Sequence, residues 1–321
     1  MHSFNELVDS FEAHLKTKTL FTGTPDTLYE PCRYLIGLGG KRIRPVLCLM
    51  GAELFGEIGA DAWHAATGIE LFHNFTLVHD DIMDKAPLRR GQPTIHERNG
   101  MTSAILCGDT MSIAAYQQLG AIRTLLSPIL QLFNRTAIEV CEGQQLDMDY
   151  EQRDDVTVEE YIRMIELKTS VLLAASLKIG ALIGGATDGP ADKLYNFGRA
   201  LGIAFQLQDD YLDAFGDAVK LGKQAGGDIL ADKKTYLHLK ALETLPADDR
   251  QALDALQGSL APDKVAATLA LFRKSGADRQ CREAVAYYSD LAFKTLDEVA
   301  VLNKRKEPLH ALAMLLLDRE S

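Results

Sequence analysis

The sequence predicts an all-α fold, and three observations carry that expectation. Apolar residues return at three- and four-residue spacing over most of the 321 positions, the period of a helix that buries one face. Ala, Leu, Glu and Lys recur throughout while the Val/Ile/Thr alternation of strands is scarce, and aromatic residues make up only 7%. The breaks between periodic stretches fall at short Gly/Pro/Asp clusters rather than at long linkers.

Taken in order, SFNELVDSFEAHL opens with Ser3 and Glu6 at the spacing of a capping box and continues as an amphipathic first helix. Helical periodicity recurs over 27–38 and 45–55, with the Gly-rich LGGKRIRP between them. A long stretch, 61–84, runs into APLRRGQP and is followed by 102–126 and 128–149. Segments 157–183 and 191–215 flank GGATDGP, and the second leads into GDAVKLGKQAGGD. Segments 234–245, 247–257, 262–275, 278–302 and 308–319 complete the chain. Several long segments are nonpolar on more than one face, and no linker or short repeat divides the whole. Residues 1–321 therefore read as a single domain, a central bundle wrapped by further helices.

A hydrophobic content of 47% over this length is enough to bury a large core and excludes a disordered or fibrous chain. The formal charge of -11 and pI near 5.2 argue against a nucleic-acid surface or an anionic membrane surface. An anionic ligand must then be met by locally placed cations. The cysteines (Cys32, Cys48, Cys107, Cys141, Cys281) are odd in number and widely spaced, as expected of free thiols in a reducing cytosol. The amino terminus shows neither the basic nor the apolar region of a secretory signal, and apolar runs such as ALAMLLL fall short of the roughly 20 residues a membrane span needs. A soluble, cytoplasmic protein with no stable membrane insertion is expected.

The chemistry is concentrated in two acidic clusters. LVHDDIMD places Asp80 and Asp84 four residues apart on one helical face, with Asp81 flanking it. FQLQDDYLD repeats the pattern with Asp209, Asp210 and Asp213. Two carboxylates roughly 5 Å apart repel by about 3 kcal/mol at an effective dielectric near 20, so such groups on apolar helices call for cations. Both clusters end a long helix and precede a loop rich in Gly and basic residues. Two such helix ends facing each other would offer an all-oxygen pocket for hard divalent ions, Mg2+ above all, bridging to phosphates.

Basic loops stand beside them. LGGKRIRP carries Lys41, Arg42 and Arg44, APLRRGQP carries Arg89 and Arg90, and KLGKQAGGDILADKKTY carries Lys220, Lys223, Lys233 and Lys234. Taken singly, Arg42, Lys220 and Lys234 read as ordinary surface ion pairs. As a set the loops read as phosphate capture, because Arg forks and Lys point charges satisfy what a metal-bound diphosphate leaves open. Nucleotide-loop chemistry is disfavoured: GDAVKLGKQ has the wrong spacing and Gln224 where a hydroxyl is required.

These motifs, in this order with EGQQLDM and the Lys-Thr of IELKTS between them, resemble the trans-isoprenyl diphosphate synthases of the short-chain type. The resemblance implies a helical bundle around a deep central cavity, usually a homodimer, that joins isopentenyl diphosphate to an allylic diphosphate (dimethylallyl, geranyl or farnesyl) with three Mg2+ per site, Mn2+ being an alternative. By position, Asp80, Asp84 and Asp209 look like direct metal ligands, with Asp81, Asp210 and Asp213 acting through waters. Arg89, Lys168, Lys223 and Lys233 look like allylic-diphosphate contacts, and Lys41, Arg44, His73 and Arg90 like the isopentenyl-diphosphate site. Lys168, Thr169 and Gln206 correspond to groups facing the reactive carbon, and Gln144 and Asp147 to groups that order the site.

In such synthases, residues upstream of the first acidic motif set cavity depth. Phe75, five before Asp80, is the candidate floor, about 7 to 8 Å along the helix axis, with Phe72 and the smaller Thr76 beside it. One large residue rather than two adjacent aromatics points to a C20 product, C15 being the alternative. The carboxyl end, LLLDRES, lacks the basic tail that closes some relatives. A class I terpene cyclase would lack the second aspartate triad and GGKRIRP, and a non-catalytic partner subunit would be expected to have lost a triad or the basic loops. A structural metal-binding helical protein leaves the basic clusters without a role.

Overall fold

The computed structural model describes residues 1–216 and 226–317. Local sequence accounts for most element boundaries. In α1 (Phe4–Thr17) the Ser3 hydroxyl accepts the Glu6 backbone N–H at 3.4 Å and the Glu6 carboxylate accepts the Ser3 N–H at 2.7 Å, the expected capping box. Between α2 (Asp26–Gly37) and α3 (Ile43–Phe55) the chain turns through Gly39, Gly40 and Arg42, all at positive φ. α4 (Ala60–Met83) is followed by a small hairpin, β1 (Leu88–Arg89) and β2 (Gln92–Pro93), in which Leu88 pairs Pro93 and Arg89 pairs Gln92. Its turn is Arg90-Gly91, at φ 54° and 73°, a two-residue geometry matched to strand twist.

Further on lie α5 (Ile95–Asn99), α6 (Met101–Leu119), α7 (Leu126–Glu151) and α8 (Val158–Ile165), the last capped by Thr157 and Glu160. A π turn, Glu166–Ser170, separates α8 from α9 (Val171–Ile183). α10 (Asp188–Phe215), α11 (Gly227–Leu230), α12 (Tyr236–Thr244), α13 (Ala247–Leu256), α14 (Lys264–Ser275), α15 (Ala277–Asp297) and α16 (Asn303–Leu317) complete the chain.

The chain clusters into two compact units. One comprises Met1–Phe133, Ser176–Asp192 and Val301–Pro308. Its core centres on α3 and α4, where Leu47, Leu49, Met50, Leu54, Ile69 and Leu71 are fully buried, and α6 packs along α4. Arg42, 4% exposed, is held in its left-handed conformation by charge: its Nη1 donates to Glu70 Oε1 at 2.5 Å, Nε to Glu12 Oε1 at 2.7 Å and Nη2 to the Ile36 carbonyl at 2.9 Å. Burial lowers the Arg42 pKa, but Glu70 and Glu12 outweigh it and leave the value raised. The surface ion pair expected of Arg42 is thus a buried pin under the Gly39-Gly40 loop, and such pairs are costly to break from one side only.

The second unit comprises Asn134–Ala175, Lys193–Ala300 and Leu309–Ser321. Tyr161, Met164, Ile165, Leu207, Leu237, Phe272 and Cys281 share one buried cluster there. Among the described residues no helix is long and apolar enough to cross a membrane. The five cysteines are free, and all but Cys141 are buried.

Several expected segments differ in detail. The helix read over 157–183 is interrupted by the π turn. The helix read over 102–126 stops at Leu119 with Gly120 as its cap. The last helix starts at Asn303 rather than at Pro308, because Lys304 to Glu307 are good helix formers and the proline removes only one backbone donor.

Candidate active site

In the first unit, Asp80 and Asp84 close α4, where the helix dipole disfavours carboxylates and a cation would be welcomed. Asp81 is 3% exposed and gripped by Arg89, whose Nε donates to both carboxylate oxygens (3.0 and 2.8 Å) and whose Nη2 donates to Oδ1 at 2.7 Å. The fork ties the hairpin to the end of α4. Arg89, expected at the allylic diphosphate, is therefore already pinned by Asp81 in this structure.

Cations gather around His73. Arg44 Nη1 lies 3.1 Å from His73 Nε2; a guanidinium can only donate, so Nε2 accepts and the ring proton belongs on Nδ1. Burial, then the charges of Arg44, Arg90, Arg89 and Arg42, hold the His73 pKa well below its usual value, so the ring is neutral. Burial lowers Arg44 to about 10, opposed by Glu70 and Asp80, which leaves it charged at neutral pH. The buried Nε of Arg44 has no hydrogen-bond partner among the described residues. Arg90 lies against the backbone of Gly40, where a Cβ would come 2.6 Å from its Nη2. The structure thus brings Arg44, His73 and Arg90 together, next to the loop that carries Lys41.

The aromatic residues upstream of Asp80 form a ladder in the same unit. Phe75 sits 4.8 Å from the His79 ring and 5.4 Å from Phe72, Phe72 lies 5.0 Å from Phe133, and Phe133 lies 5.4 Å from Tyr116 (centroid distances). Thr76 donates its hydroxyl to the His73 carbonyl at 2.8 Å. Phe133 and Tyr116 leave no trace in the spacing along α4 because they meet the ladder from other helices, whereas His79, four residues after Phe75 on the same helix, is legible in that spacing.

In the second unit a cavity of about 250 Å³ is lined by Asp147, Tyr161, Lys168, Thr169, Gln206, Asp210, Asp228 and Lys233 among others. The π turn presents Lys168 and Thr169 to it together. That turn is wedged between two glycines: a Cβ on Gly143 would lie 2.7 Å from the Lys168 Cα, and one on Gly202 2.7 Å from the Ser170 Cα. Lys168 Nζ is 2.5 Å from Asp147 Oδ2. A chain of hydrogen bonds crosses the lining: Thr169 Oγ1 to Gln206 Oε1 at 3.5 Å, Gln206 Nε2 to Asp210 Oδ1 at 3.2 Å, and Tyr161 Oη to Asp210 Oδ2 at 2.5 Å. Burial raises the Asp210 pKa to about 7 despite these bonds. Asp213 Oδ2 accepts the Asp228 backbone N–H at 2.8 Å. Lys223 lies outside the described residues, as does Lys220. Tyr161 was missed in the sequence, although its place seven residues before Lys168, two helical turns, could have suggested it.

The donor set suits Mg2+. Every candidate ligand is a carboxylate oxygen, and Asp81, Asp210 and Asp213 are each hydrogen-bonded to a protein group. Residues 25–272 match the model of the polyprenyl synthetase family. The chain belongs to the polyprenyl synthetase family. It is 39% identical over 299 residues to a short chain isoprenyl diphosphate synthase of Methanothermobacter thermautotrophicus, covering 92% of each chain. It is also 39% identical over 304 residues to a geranylgeranyl diphosphate synthase of Sulfolobus acidocaldarius, covering 92% of this chain and 91% of that one. A crystal structure of a geranylgeranyl pyrophosphate synthase superposes with a TM-score of 0.93 at 42% identity over 100% of both chains. This polyprenyl synthetase is accordingly all-α and a prenyltransferase, and the matched segment carries every candidate side chain from Lys41 to Lys233.

Proposed function

We propose that this polyprenyl synthetase condenses isopentenyl diphosphate head to tail with an allylic diphosphate, giving all-trans geranylgeranyl diphosphate. The observation that carries the reading is the cavity of the second unit. It offers a lysine, a hydroxyl, an amide oxygen and carboxylates, a lining that steadies a developing allylic cation and needs no protein nucleophile. Lys168 and Lys233 draw charge onto the departing diphosphate, with Lys223 and Arg89 as further contacts. The Thr169 and Gln206 oxygens lie toward the carbon left positive, and Asp210, fixed by Tyr161, orients the Gln206 amide. Arg44, Arg90, Lys41 and neutral His73 bind isopentenyl diphosphate, whose double bond attacks the cation before a proton is lost. Asp80, Asp84 and Asp209, with Asp81, Asp210 and Asp213 in support, would hold Mg2+, which when bound would supply electrostatic activation of the leaving diphosphate.

The chain is read as one catalytic domain because the family match runs through segments of both units. Homodimerisation is proposed through α6, whose outer face exposes Met101, Ile105, Ile113 and Tyr116 (42 to 62% exposed). We place its work in the cytoplasm. The test is direct: Mg2+, isopentenyl diphosphate and each of dimethylallyl, geranyl and farnesyl diphosphate are supplied, and the alcohols are identified after phosphatase treatment. C20 alcohol is expected from every primer and EDTA should abolish it. A predominant C15 product would overturn the chain-length reading alone, and no elongation with any primer would overturn the function. Phe75→Ala should shift the main product by at least one C5 unit, since it removes one face of the aromatic ladder; gas chromatography of the alcohols reads the shift, and an unchanged profile would reassign Phe75 to packing.

A further inference from the structure

Residues 232–234 carry a cavity lysine between two anchored neighbours. Lys233 lines the cavity, its ammonium 3.6 Å from Asp228 Oδ1. On one side Lys234 Nζ donates to the carbonyls of Arg153 and of Glu151 (3.3 Å) and lies 3.2 Å from Asp154 Oδ1. On the other side Asp232 sits at φ 56°, an uncommon conformation for a residue with a Cβ. Both of its carboxylate oxygens are engaged, Oδ1 by Lys264 Nζ at 2.6 Å and Oδ2 by the Gly258 N–H at 3.1 Å. Lys264 is 3% exposed and is the first residue of α14, where the helix dipole opposes a cation. A buried ammonium at that end of a helix is tolerated only if a carboxylate receives it. α14 meets the same segment again at Gly226, φ 81°, where a Cβ would lie 2.6 Å from Val265 Cγ1.

We infer that Lys264 is a positioning residue for Lys233: through Asp232 it locks the left-handed turn that aims Lys233 into the cavity and so sets the affinity for the allylic diphosphate. The inference rests on the reading of Lys233 as a contact to that diphosphate. An ion pair serving the fold alone could fall anywhere in the core. This one instead fixes the residue directly before the cavity lysine, in a backbone state the chain rarely adopts unaided.

The experiment compares the full chain with Lys264→Met, with the neutral pair Asp232→Asn plus Lys264→Met, and with Lys233→Ala as reference. Thermal unfolding and steady-state kinetics with geranyl and isopentenyl diphosphates are measured for each. Lys264→Met should raise the KM for geranyl diphosphate about tenfold, the order of one charge-assisted contact to a phosphate, and change the KM for isopentenyl diphosphate by less than about twofold. The neutral pair should recover the lost Tm without recovering that KM. A KM that recovers together with Tm, or that rises equally for both substrates, would assign Lys264 to stability and overturn the inference. If Lys233→Ala leaves the geranyl KM unchanged, the reading of Lys233 fails and the inference with it. If Lys233→Ala raises that KM while Lys264→Met does not, only the inference fails.

Discussion

Asp80→Ala and Asp209→Ala should each lower kcat/KM by about a thousandfold or more, some 4 kcal/mol of transition-state stabilisation, while the protein stays folded. The size follows from where the charge sits. A carboxylate that holds a divalent ion against a leaving diphosphate acts on a bond that is breaking, so its removal is felt in the transition state. Stability should move the other way or scarcely at all. Asp80 stands in the last turn of α4, where removing a negative charge relieves an adverse dipole by about 0.3–1 kcal/mol, and Asp209, six residues before the end of α10, gains little from it. Asp210→Ala is the contrasting case, since it strips Tyr161 and Gln206 of a buried acceptor and should lower Tm along with turnover. Single-turnover kinetics and thermal unfolding separate the two patterns. More than about a tenth of wild-type turnover in Asp80→Ala would remove it from the proposed metal site.

Gly143→Ala should be the most damaging small substitution in α7. In an ordinary helix this change stabilises by about 1 kcal/mol. Here the added Cβ would lie 2.7 Å from the Lys168 Cα, against backbone that cannot rotate away. Overpacking of this kind costs about 1–3 kcal/mol, so the net sign is destabilising. Function should suffer more than stability, because Asp147, one helical turn after Gly143, holds the Lys168 ammonium at 2.5 Å and any displacement of the π turn moves Lys168 relative to it. A shift of about 1 Å in positioning groups typically costs about a hundredfold in rate. A raised Tm together with full turnover in the Gly143→Ala variant would show that the π turn accommodates the methyl group.

Much of this was legible before the structure. The acidic triads, the basic loops and the helical periodicity are local patterns, and the triads fall on the long helices that the spacing predicts, at α4 and α10. What stayed hidden depends on partners distant in sequence. Arg42 looked like a surface cation because Glu70, which buries it, lies 28 residues away. The Arg90-Gly91 hairpin cannot be told from a loop in the sequence because two strands of two residues carry no alternation. Tyr161 carries only the weak signal of its spacing to Lys168, and its role rests on Asp210, 49 residues on, at its hydroxyl. The π turn was invisible for another reason: a continuous apolar pattern is compatible with one additional residue per turn, and only the glycines facing it show that the backbone bulges.

That turn makes the length of a segment as informative as its letters. Deleting any one residue between Glu166 and Ser170 would let α8 and α9 merge into a single regular helix with a full set of backbone hydrogen bonds. The same deletion would swing everything on one side of it through about 100° relative to the other, carrying the Lys168–Thr169 pair out of register with Asp147 and Gln206. The straighter helix would be the more comfortable one for the backbone and the useless one for the chemistry, so here the irregular geometry is itself the functional group.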